Sequence, residues 1–90
     1  MSDEADVQRG EDAARLLAHP LLVEAFEVLE QEITERWSNS PARDAEGREK
    51  LWMTLKLLHR LHAQITSVAE TGQIAKATIA QRLGLKPNEF

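Results

Sequence analysis

Residues 51–69 read LWMTLKLLHRLHAQITSVA. Within them Leu51, Leu55, Leu58, His62, Ile65 and Ala69 recur at alternating spacings of four and three. That period returns a side chain to one helical face every turn, so the stretch is an amphipathic helix with a seven-residue apolar seam. His62 sits inside the seam, Leu57, Leu61 and Val68 lie beside it, and Trp52 stands on its shoulder. The predicted helix spans residues 44–71, roughly 40 Å at 1.5 Å per residue. Its apolar positions occupy more than one face, whereas a single neighbouring helix covers one. The remainder calls for self-association or a bound helix, unless flanking helices of the same chain fold back over it.

The same periodicity governs residues 20–37. Leu22, Phe26, Leu29, Ile33 and Trp37 are spaced by four, three, four and four. Leu21, Ala25 and Val28 widen this stripe, and Glu24, Glu27, Glu30 and Glu35 lie mostly opposite. Pro20 suits the first helical position and keeps His19 out of the α region, which places a boundary there. His19 is therefore a capping or solvent-facing residue. Ser38-Asn39-Ser40-Pro41 is turn chemistry, with Ser40 or Asp44 capping the helix that follows. Two long helices joined across so short a turn run antiparallel, with Trp37 and Trp52 packed at the closed end.

The flanks are shorter. Residues 1–10 are polar, carry Asp3, Glu4 and Asp6, and end in Gly10; they read as a flexible acidic tail. Residues 11–18 read as a short helix with Glu11 and Asp12 at its positive end. Residues 74–83 read as helical again, with Ala75, Ile79 and Leu83 in register. Gly72 is either a cap or a glycine tolerated inside a continuing helix. Gly84, Leu85 and Pro87 make a stop, and 86–90 form a tail. The fold class is all-α: an antiparallel helical hairpin with short flanking helices, one domain over residues 11–85, assembled into an oligomeric bundle.

Several classes are excluded. The 90 residues contain no cysteine, so neither a disulfide framework nor a cysteine-based zinc site is possible. No apolar run exceeds three residues, too few for a membrane span or a secretory signal. His59 and His62 are three apart, a spacing two metal ligands can use, but they point in different directions and no Glu-x-x-His pair accompanies them. His62 reads as a packing or interface residue, one that would make assembly sensitive to pH. No nucleophile elbow, phosphate loop, dinucleotide fingerprint or zinc-protease motif occurs. No enzyme, cofactor or metal is expected.

The net charge of −4 conceals a division. Residues 1–40 hold ten acids and three arginines, a net −7, while residues 41–90 hold eight bases and five acids, a net +3. Pairing between the two helices would absorb this division. Alternatively the basic half meets an acidic partner or nucleic acid, with Lys76, Arg82 and Lys86 on phosphates. Ala80 and Gly84 resemble the first helix and turn of a helix-turn-helix unit, but too few residues follow for a recognition helix.

Arg15-Leu16-Leu17, His19-Pro20-Leu21-Leu22 with Glu24-Ala25-Phe26, Arg48-Glu49-x-Leu51-Trp52 and Thr71-Gly72 form a pattern over residues 13–75. It is similar to that of small helical proteins encoded by tailed bacteriophages and prophages. The resemblance implies a virion-assembly or packaging accessory. Such a protein forms a homo-oligomer or docks on a larger phage protein, in the host cytoplasm or the virion, without a membrane. Leu51, Leu55, Leu58, His62 and Ile65 would carry the packing. The alternative is a small-terminase-like or regulatory DNA-binding protein, whose affinity would fall steeply with salt.

Overall fold

The protein is described by a computed structural model over residues 2–84. These residues form three helices, α1 (Asp3–Ala18), α2 (Pro20–Asn39) and α3 (Ala45–Arg82), and no strand occurs among them. The all-α class is as read from the sequence.

Helix α1 begins eight residues earlier than expected, inside the supposed tail. Local chemistry explains the start. The Ser2 hydroxyl accepts from the Ala5 amide at 3.2 Å, and its carbonyl accepts from the Asp6 amide at 3.1 Å. Asp3, Glu4 and Asp6 occupy the first turn, where the helix dipole favours negative charge.

The boundary at His19 is where the proline places it. His19 has an extended ψ of 122°, its Nδ1 accepts from the Leu21 amide at 3.2 Å, and Pro20 opens α2. Ser40 closes α2 through its amide and hydroxyl, which donate to the Trp37 carbonyl at 3.2 and 2.6 Å. Asp44, not Ser40, caps α3: its carboxylate accepts from the Gly47 amide at 3.1 Å.

The separate helix expected over 74–83 is the continuation of α3, with Gly72 inside it. Gly84 adopts the left-handed φ of +73° expected of a helix stop, and its amide donates to the Gln81 carbonyl at 3.1 Å. Leu85, Lys86 and Pro87, and the tail assigned to 86–90, lie outside the described residues.

Contacts divide the described residues into two units, one of α1 with the part of α3 from Gln64 onward and the other running from His19 to Ala63. In the first, α1 packs against the second part of α3 through small residues. Gly10, Ala13, Gly72, Ala75 and Ala80 are buried. A Cβ placed on Gly10 would stand 2.6 Å from the Cα of Gly72, so the two backbones touch. Asp3 and Arg82 pair at 2.9 Å further along the same crossing. Gly10 weakens α1 by roughly 1 kcal/mol as a helix former, yet only glycine admits this approach.

In the second unit, α2 packs against the first part of α3. Leu22, Phe26 and Ile33 on α2 and Leu51, Leu55 and Leu58 on α3 are half-buried. No residue of α2 is buried.

Candidate functional site

The unit of residues 19–63 holds the seam and both tryptophans. Ile33, Thr34 and Trp37 join Leu51, Trp52 and Leu55 around a cavity of about 220 Å³. Phe26 meets the His62 ring edge-on, with centroids 5.1 Å apart and planes at 84°. Glu30 Oε1 lies 3.7 Å from His59 Nε2. The Arg48 guanidinium stands 4.2 Å from the Trp37 ring centroid and donates to the Ser40 hydroxyl at 3.1 Å. It also reaches the Ser40 and Trp37 carbonyls at 3.3 and 3.4 Å. Contact partners thus fall along α3 as they rise along α2.

The sequence-derived candidates fall into three sets. Leu51, Leu55 and Leu58 turn toward α2 and are half-buried, and His62 continues their row while remaining exposed. Ile65 is half-buried in the other unit. Trp37 and Trp52 do border one cavity, but 43% and 54% of their surface stays exposed. Of the possible phosphate contacts, Lys76 and Arg82 belong to the other unit. There Arg82 is held by Asp3, and Lys76 is half-buried with an interaction of its own. Lys86 lies outside the described residues.

His59 and His62 engage different partners, Glu30 and Phe26, so they do not converge on one ligand. Among the described residues no cluster of three or more His, Asp or Glu could hold a metal. No described helix is long and apolar enough to cross a membrane.

The prominent feature is the exposed apolar surface. Leu21 and Leu57 are each 67% exposed, and Met53, Leu61 and Val28 more than half. No large side chain is fully buried among the described residues. Met53, Leu57 and Leu61 follow one another at four-residue spacing, a stripe that sequence reading placed beside the seam or passed over. At about 100° per residue, Met53 and Leu57 stand well away from the face of Leu51 and Leu58. Leu21 and Val28 stand likewise away from Phe26 and Ile33. The repeat Met53-Leu57-Leu61 was the signal available in the sequence.

The charge division also persists. In this unit Arg36–Glu32 and Lys50–Glu46 pair within one helix, and Glu30 of α2 approaches His59 of α3.

Against known proteins, no family model, curated protein or solved structure matches the chain.

Proposed function

We propose that this chain is a non-enzymatic assembly protein, an antiparallel helical hairpin that works by self-association or by docking on a larger protein. The single observation carrying this reading is the inversion of burial. Alanine and glycine are inside, while Leu21, Val28, Met53, Leu57 and Leu61 are outside. Burying such a side chain completely contributes roughly 1.5–3 kcal/mol, and covering the half to two-thirds that is still exposed contributes a corresponding share. Five of them supply an association energy comparable with the estimated 4–15 kcal/mol entropic cost of forming a complex. The resemblance to small tailed-phage proteins supports a role as a structural or assembly accessory in the host cytoplasm, carried into the virion or released from it.

Light scattering coupled to size exclusion tests the reading. The expected mass is a multiple of 10.1 kDa. A strict monomer at every concentration that also fails to bind co-expressed capsid and packaging components overturns it.

A further inference from the structure

We propose that the crevice between α2 and α3, beside the turn at residues 40–44, binds one small apolar aromatic molecule, a single ring of the size of toluene. This ligand site stands whether or not the chain assembles.

The crevice lies within the unit of residues 19–63. Half-buried Ile33, Leu51 and Leu55 make its floor, and the more exposed Thr34, Trp37 and Trp52 make its rim. Its volume is about 220 Å³. A cavity of about 150 Å³ lined by aliphatic and aromatic side chains already takes benzene. One ring therefore fits here with room for a methyl group.

The lining decides the chemistry of the ligand. No charged side chain borders the crevice, and almost no polar atom faces it. The Thr34 hydroxyl already donates to the Glu30 carbonyl at 2.8 Å. Water settles stably in a cavity only with two to four polar partners, so an apolar molecule gains by displacing it here. A sugar, a phosphate or an ion would surrender its hydration without compensation. Two of the six lining side chains are indoles. Ring-to-ring contact adds to the gain from area alone, which favours an aromatic ring over a saturated one of equal size.

Both indoles are held in place before any ligand enters. The Arg48 guanidinium stands 4.2 Å from the Trp37 ring centroid and is itself fixed by the Ser40 hydroxyl and carbonyl at 3.1 and 3.3 Å. The Lys56 ammonium stands 5.3 Å from the Trp52 ring centroid. Cation–π contact restrains each ring, so little ordering remains to be lost on binding. The walls come from both helices: Ile33, Thr34 and Trp37 from α2, and Leu51, Trp52 and Leu55 from α3. Only the packed pair of helices binds, and a bound ring opposes their separation.

The test titrates the full chain with toluene and, separately, with methylcyclohexane. The chain has two tryptophans and both border the crevice, so their emission reads occupancy. Circular dichroism and sedimentation of the same samples follow helicity and mass. Toluene should shift the emission to a plateau and raise the thermal midpoint as its concentration rises. Methylcyclohexane should bind about two- to tenfold more weakly. Thr34→Phe sets a ring at the rim and should abolish the plateau at unchanged helicity. Trp52→Ala removes one wall from an exposed position and should lower the affinity for toluene, read by Trp37, which serves as the check if Thr34→Phe folds poorly. Leu57→Thr changes an apolar side chain that is 67% exposed and does not line the crevice, and should leave the titration as in the wild type. A response that never saturates, equal affinity for the two rings, undiminished binding in Trp52→Ala or in folded Thr34→Phe, or loss of binding in Leu57→Thr each overturns the site. The mass of the unliganded chain decides the assembly reading separately.

Discussion

Replacing Gly72 by alanine sets two effects of opposite sign against each other. In an isolated helix the change stabilises by about 1 kcal/mol, because alanine loses less backbone freedom. In this protein the new methyl would stand 2.6 Å from the Gly10 Cα, 2.9 Å from the Asp6 carbonyl oxygen and 3.2 Å from the Gly10 nitrogen. All three are backbone atoms of α1, so no rotamer change relieves the clash. Ordinary carbon contacts lie at about 3.5–4.0 Å, and α1 must therefore withdraw by about 1 Å. A gap of that size forfeits a quarter to a half of each contact's attraction along the crossing. Overpacking of this kind costs about 1–3 kcal/mol, enough to exceed the helical gain. The expected result is a net loss of about 1 kcal/mol, read by urea denaturation. It should be accompanied by faster hydrogen exchange at the amides of α1, because the damage is local to that unit. Gly10→Ala should behave alike. The double variant should cost less than the sum, because helices already parted accept the second methyl. Stabilisation by Gly72→Ala, or strict additivity of the two changes, would refute backbone contact at this crossing.

Two further perturbations separate strong local features from weak ones. Asp44→Ala removes the side-chain acceptor of the Gly47 amide and should cost about 1 kcal/mol in denaturation, while Ser40→Ala should leave the start of α3 intact. Arg82→Ala breaks the pair with Asp3, whose arginine side chain is 67% exposed. The expected loss is below about 1 kcal/mol, and wild type and variant should converge at high salt.

Legibility followed the range of the interaction. The His19-Pro20 boundary, the turn at residues 40–44 and the stop at Gly84 were readable because each depends on residues within a few positions. A proline without an amide, a carboxylate three residues before an amide and a glycine at positive φ act on their neighbours wherever the chain goes. Residues 3–10 misled for the complementary reason. They are polar, show no apolar face and end in Gly10, a poor helix former. The reason for tolerating Gly10 stands 62 residues away, at Gly72. Gly72 itself was ambiguous between cap and interior for the same reason.

The candidate surface was only half legible. Periodicity alone established that α3 has more apolar positions than one neighbour can cover. It could not say which of them α2 takes. Leu51, Leu55 and Leu58 are taken, and Met53, Leu57 and Leu61 are not. By itself, then, the sequence determined an all-helical chain, its breaks at His19 and Ser40, and a division of charge between its halves, because all three arise from composition and local backbone chemistry. Tertiary structure alone decided that α1 reaches back to Asp3, that glycines rather than leucines make the tightest contact, and which apolar stripe stays outside. Those outcomes depend on which two faces meet, and a single helix's periodicity leaves that choice open.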